Sequence, residues 1–152
     1  MLQQGIMALP YDAYIDYDDT LGVDLDQAAA DVGFFKIPMK CEVIEAGGIV
    51  TETCGGATGK PEFDFDLRPV AGSDANREAG AIGHLVLGAT AAGKVMFDKV
   101  ARGTILEPGQ EIVAQVQTRP TGDGAAGHLR PYVLVKPLDE VKGNLANMIE
   151  TT

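Results

Sequence analysis

The chain has 152 residues, of which 45% are hydrophobic, and 22 Asp and Glu against 12 Lys and Arg give it a formal charge of −10. That length suits one domain able to bury about two thirds of its unfolded surface without disulfides or metals. No apolar run approaches the eighteen or so residues of a membrane span, and a surface this acidic repels phosphate backbones, which argues against both membrane and nucleic acid as partners. The N-terminus, MLQQGIMALP, has no basic residue before Lys36 and no small-residue cleavage pattern, so no secretory signal is expected. Cys41 and Cys54, in a chain without such a signal, are expected to be reduced thiols.

Residues 1–31 differ from the rest. Asp12, Asp16, Asp18, Asp19, Asp24, Asp26 and Asp31 occur there with no positive charge among them. Tyr11, Tyr14 and Tyr17 are interleaved at a spacing of three, which would align them on one side of a helix or an extended left-handed turn. The segment has the character of an arm, either docked or solvated, and the three tyrosines are its candidate partner-binding residues. Ala28, Ala29 and Ala30 allow a helical turn or two between Asp24 and Asp31, too short to hold without tertiary support.

From Val32 the period becomes two, and 32–137 forms the expected body. In Glu62-Phe63-Asp64-Phe65-Asp66-Leu67-Arg68 every apolar residue alternates with a charged one, predicting a strand with one buried and one wet face. Further strands are predicted over Phe34 to Val43, Ile82 to Leu87, Lys94 to Val100, Glu111 to Thr118 and Tyr132 to Lys136. Glu107-Pro108-Gly109-Gln110 predicts a type II turn joining two strands, since Pro presets φ and Gly accepts the positive φ that follows. Gly-rich loops are expected at 55–59, 72–80 and 122–127. Residues 138–152 read as a C-terminal tail packed on the body, with a helical turn near Asn144 to Ile149. The fold class is mainly β: an antiparallel sandwich or barrel, jelly-roll-like, with an N-terminal arm and short helical turns.

Catalytic patterns are incomplete. Gly88-Ala89-Thr90-Ala91-Ala92-Gly93-Lys94-Val95 approaches a phosphate-binding loop, but Val95 stands where a hydroxyl would hold magnesium, and a strand rather than a helix is expected after it. Gly59-Lys60 has Cys54 at the first glycine position and Pro61 after the lysine. Ser73, the only serine, lies in a loop rather than a nucleophile elbow. Neither cysteine is evidently paired with His84 or His128, and His84 is expected to be a residue on a strand face. The cysteines and histidines lack the short paired spacing of zinc sites. The stretch from Asp16 to Gln27 misses the calcium-loop pattern at Gly22 and again at Gln27. Without Trp, and with most Phe at inward positions, the chain lacks an aromatic sugar platform. No catalytic residue, cofactor or metal ligand is therefore assigned, and no enzyme activity is expected.

Four stretches together resemble small head decoration, or capsid cement, proteins of tailed bacteriophages: Phe63 to Pro69, Gly72 to Arg77, Leu106 to Glu111 and Arg130 to Pro137. The likeness runs loosely from Val32 to the C-terminus and omits the arm. It implies a β-rich structural protein, made in the host cytoplasm, that adds to the outside of an assembled shell as homotrimers, binds the major capsid protein and stabilises the virion. The alternatives are a small oligomeric β-fold nucleotide hydrolase, suggested by the loop ending at Lys94, and another virion part of the tail or head-completion class.

Overall fold

A computed structural model describes residues 5–13, 17–18 and 21–138. All regular elements among them are strands: β1 (Met7–Ala8), β2 (Tyr11–Ala13), β3 (Tyr17–Asp18), β4 (Gly22–Asp24), β5 (Asp31–Lys36), β6 (Cys41–Gly55), β7 (Glu62–Arg68), β8 (Glu78–Val86), β9 (Val95–Asp98), β10 (Ile105–Leu106), β11 (Glu111–Thr118) and β12 (Ala126–Pro137). They form two antiparallel sheets packed as a sandwich. One is seven-stranded and curled, in the order β10-β6-β12-β4-β3, with β1 on β12 and β9 on β6. The other is five-stranded, in the order β2-β5-β11-β7-β8.

The core lies between the sheets, and the alternation of the sequence accounts for it. Phe35, Phe63, Phe65, Ile112, Ala114 and Val116 of the five-stranded sheet meet Val43, Ala46, Val50, Leu129, Val133 and Val135 of the other. The Phe63 and Phe65 rings meet edge to face with centroids 5.3 Å apart, and Phe35 lies 6.1 Å from Phe65. Geometry of this kind adds to the burial of three large side chains.

β7 and β11 occupy the segments predicted for them. The predicted strand from Phe34 to Val43 is instead two strands, because Pro38 has no N–H to give a ladder and the chain turns there from one sheet to the other. β6 then runs far beyond its predicted end, through Gly47 and Gly48. Both glycines answer to close neighbours. A Cβ on Gly47 would lie 2.4 Å from the Met96 carbonyl oxygen, and one on Gly48 would lie 2.5 Å from a methyl carbon of Leu129. Glu107 to Gln110 forms the predicted turn, closed by Gln110 N donating to Glu107 O at 3.2 Å with Gly109 at φ +95°. The two strands it joins, β10 and β11, belong to different sheets.

No helical turn forms between Asp24 and Asp31. The Asp24 carboxylate accepts from Asp26 N at 2.9 Å, a local bond that competes with helix formation. The turn expected at 144–149 lies outside the described residues. The described parts of 1–31 are woven into the body: β1 pairs with β12, β2 with β5, and β4 with β12, while Leu9 N donates to Val133 O at 2.9 Å.

Replacing Gly47 with Ala puts a methyl against backbone that cannot swing aside. We expect a loss of about 1–3 kcal/mol by urea unfolding, with β9 amides losing hydrogen-exchange protection first.

Candidate contact surface

The outer face of the five-stranded sheet was expected to be wet along β7. It is covered instead. Asp64 and Asp66 are only 5% and 2% exposed, and Glu111 is also buried. The cover is the connection between β7 and β8, pinned by two arginines. Arg77 donates to both oxygens of Asp31, at 2.6 and 2.9 Å, and through Nε to Asp66 at 2.9 Å. Arg68 donates to Glu111 at 2.5 Å and to Asp74 at 3.0 Å. Backbone donors take up remaining acceptors: Gly80 N reaches Asp66 at 2.7 Å and Gly72 N reaches Glu111 at 2.8 Å. The bonds to Asp31, followed by those to Asp66, raise the Arg77 pKa against the effect of burial. For Arg68, burial works against the charge, but Glu111 and Asp74 outweigh it and the pKa rises. Ion pairs taken from water are stabilised when their hydrogen bonds are satisfied in this way, and among the described residues Arg68 Nε is the buried side-chain donor left without a partner.

Beside this network, His84 of β8 lies between two carboxylates of β7. Its Nδ1 meets Asp64, its Nε2 meets Glu62 at 3.1 Å, and Glu62 also accepts from Thr118 Oγ1 at 2.8 Å. The bond to Asp64 raises the His84 pKa despite partial burial, whereas burial raises the Asp64 pKa despite His84. His84 N donates to Asp98 of β9 at 2.9 Å, tying the two sheets together on this side.

The sequence's other chemical candidates are held in structural roles. The loop before Lys94 spends these donors within itself and on β6: Thr90 N on Leu87 O, Ala92 N on Thr53 Oγ1 at 3.1 Å, Gly93 N on Val50 O at 2.7 Å and Lys94 N on Ala91 O. The strand β9 follows directly, so the amides that would cradle a phosphate at a helix N-terminus have other partners. Ser73 Oγ accepts from Ala75 N at 3.3 Å, as a turn serine does. Cys41 and Cys54 are free, buried and pushed up to about 11, first by burial and then by Glu107 and Glu52 respectively, which keeps both as weakly nucleophilic thiols. His128 Nδ1 meets Glu52 at 3.0 Å. Among the described residues no group of three His, Cys, Asp or Glu could hold a metal ion.

Tyr11 and Tyr17 are not brought together on one helical side. Tyr11 lies in β2 of the five-stranded sheet. Its ring packs 4.9 Å from Phe35 and over Gly33, where a Cβ would come within 2.5 Å of its hydroxyl oxygen, and that hydroxyl donates to Val32 O at 3.0 Å. Tyr17 lies in β3 of the other sheet, and Tyr14 is outside the described residues.

The surface that stands out is one that sequence reasoning missed. Along the free edge of β6 run β9 and, beyond a turn, β10. Register places Ile49 beside Val95, and Phe97 beside Gly47, which has Tyr132 on its other flank. Met96, between Val95 and Phe97, packs against the core. Val95 and Phe97 therefore point outward, and with Ile49, Val100 and Ile105 they form a strip of exposed large apolar side chains, Phe97 at 55% and Val100 at 69%. Lys94, Lys99 and Arg102 border it, also exposed, and Lys99 Nζ lies 5.2 Å from the Phe97 ring centroid. From Gly88 to Leu106 those three cations meet only Asp98, so the strip has a local charge of +2 in a chain of −10. The signal was in Val95-Met96-Phe97-Asp98, where apolar residues fall on both alternating sets, so that a single buried face cannot absorb them all.

Comparison with protein-family models, with curated proteins and with solved structures finds no match to this chain.

Two outcomes are expected. Arg77→Met leaves Asp66 without its counter-charge and Asp31 with only Arg68, 3.9 Å away, and should cost about 3–5 kcal/mol in urea unfolding. His84 has a folded pKa above its ordinary 6.5, so its contribution is complete below pH 6.5 and is lost as the pH rises through the folded value. The stability difference between the natural chain and His84→Gln should therefore be largest in mildly acidic solution and shrink toward alkaline pH. A gap that widens with pH would contradict the geometry around Asp64.

Proposed function

We propose that the protein is a structural part of a virion that binds the outer surface of a phage capsid shell and stabilises it, in the manner of a decoration or cement protein. One observation carries the reading: the strip of Ile49, Val95, Phe97, Val100 and Ile105, apolar and exposed on a sheet edge. Clusters of large apolar side chains left in water mark contact sites, and this one is presented on paired strands, so docking would order little backbone and lose little entropy. The cations beside it suit an acidic rim on the partner, which is proposed to be the major capsid protein.

The likeness to decoration proteins is the second support. Its four stretches fall on scaffold: β7, the arginine-pinned loop after it, the turn between the sheets, and the C-terminal part of β12. The strip lies outside them, as a mating surface would if scaffold were shared and partners differed. Clamping is the proposed mechanism. Each copy, expected as part of a homotrimer, contributes a few kcal/mol across neighbouring capsid subunits, and linked copies on an ordered lattice gain the rest through effective concentration.

Phe97→Asp, an exposed substitution that leaves the core intact, should lower the number of copies sedimenting with purified heads about tenfold or more. Undiminished binding would remove the strip from the interface. Counting copies per particle separates a shell component, present in hundreds, from a vertex or tail part present in a handful.

A further inference from the structure

The direction of the main-chain groups of β9 can be read from its ladder with β6. Val50 N donates to Lys94 O at 2.9 Å, and the register continues with Val95 opposite Ile49, Met96 opposite Gly48, Phe97 opposite Gly47 and Asp98 opposite Ala46. Along an antiparallel ladder, residues that bond across it alternate with residues whose N–H and C=O turn away from it. Met96 and Asp98 therefore bond to β6, while Val95 and Phe97 turn both groups outward. No strand among the described residues pairs with β9 on that side. β8 passes beneath it instead, on the core side, where a Cβ on Gly83 would lie 3.1 Å from Ala46 Cβ and 3.6 Å from Asp98 Cβ.

The two strand edges on this flank are treated differently. His84 N, on the free edge of β8, is capped by the Asp98 carboxylate, whose other oxygen accepts from Val100 N at 2.9 Å. A charge placed so guards an edge whose unpaired main-chain groups would otherwise template another strand. The β9 edge lacks that guard, and its outward groups belong to Val95 and Phe97, whose side chains also stand in solvent. With Asp98 engaged, Lys94, Lys99 and Arg102 have no carboxylate partner among the described residues. Two copies meeting edge to edge would set one +2 region against another, and like charges across a strand pair repel. An acidic occupant is favoured instead.

We infer that the β9 edge receives an extended, acidic segment of a partner protein as an added strand. Val95 and Phe97 each give one main-chain hydrogen bond to it and accept one. Apolar residues at alternate positions of the segment lie beside the Val95 and Phe97 side chains, and acids at its ends meet Lys94 and Lys99. In strand addition the main-chain bonds supply affinity and the alternate side chains selectivity. That the segment belongs to a capsid subunit rests on the function proposed above, whereas the added strand rests on this edge alone.

The probe is a short end-blocked peptide of alternating valine and threonine with an aspartate at each end, added to the full chain and followed by amide hydrogen exchange. In the free protein Val95 and Phe97 should exchange faster than Met96 and Asp98. With saturating peptide they should slow about tenfold or more. That effect should vanish when alternate peptide amides are N-methylated and weaken when lysines replace the aspartates. Slowing that survives N-methylation, or none at Val95 and Phe97, overturns the added strand. Protection of both amides without peptide, together with a dimer in sedimentation, makes a second copy the occupant and overturns it as well. Val95→Pro deletes an outward donor, keeps an apolar side chain and leaves the bonds to β6 in place, so it should bind the peptide about tenfold more weakly than Val95→Thr. The N-methylated peptide tests the same bonds on the natural chain, whatever proline does to β9. Copies bound per phage head report on the function separately. If the edge takes up the peptide but heads bind no protein, the shell is removed and the strand stands; if heads bind Val95→Pro and Val95→Thr alike, the strand is removed and the shell stands.

Discussion

The Arg77 guanidinium, held between Asp31 and Asp66, is the contact on which the rest of the molecule depends. Asp66 lies in the middle of β7 and is almost wholly buried, and an ion in that position without a partner costs several kcal/mol. The planar fork answers two carboxylates at once, and Gly80 N completes the second. A lysine offers one point charge and could not span both. Three parts of the chain are fixed together: β5 through Asp31, β7 through Asp66, and the connection that carries Arg77 itself. With that connection pinned down, the acids at the centre of the five-stranded sheet are covered, and Ile49, Val95, Phe97, Val100 and Ile105 remain exposed along the edge of the other sheet.

Much of the architecture was legible in the sequence because it rests on alternation, a local property. β7 and β11 could be read residue by residue, and Pro108-Gly109 announced its turn. What could not be read depends on partners distant along the chain. Gly47 and Gly48 look like strand breakers until Met96, Tyr132 and Leu129 supply the reason for a missing side chain. The acids of β7 look solvated because the arginine that buries them bonds to Asp31, 46 residues away. Tyr11 and Tyr17 suggested one face by their spacing, yet strand pairing sends them to different sheets. Pro38 is a stop set among apolar residues whose pattern continues on both sides of it.

The site was less legible than the fold. Attention to motifs led to Lys94 as a nucleotide-binding near-miss, and the adjacent strand held the more informative feature. Val95 and Phe97 face away from a core that Met96 already serves. The chemistry-bearing groups are meanwhile engaged with one another: His84 with Asp64 and Glu62, His128 with Glu52, and both thiols kept protonated by burial.

The central claim is that the β9–β10 edge is the working face, and hydrogen exchange of the full chain, free and bound to purified phage heads, tests it most directly. The account predicts that binding slows exchange in β9 and the 99–105 connection while the arginine-pinned loop from Val70 to Arg77 is unchanged. Protection concentrated on that loop and on the outer face of the five-stranded sheet, with β9 unaffected, would contradict it.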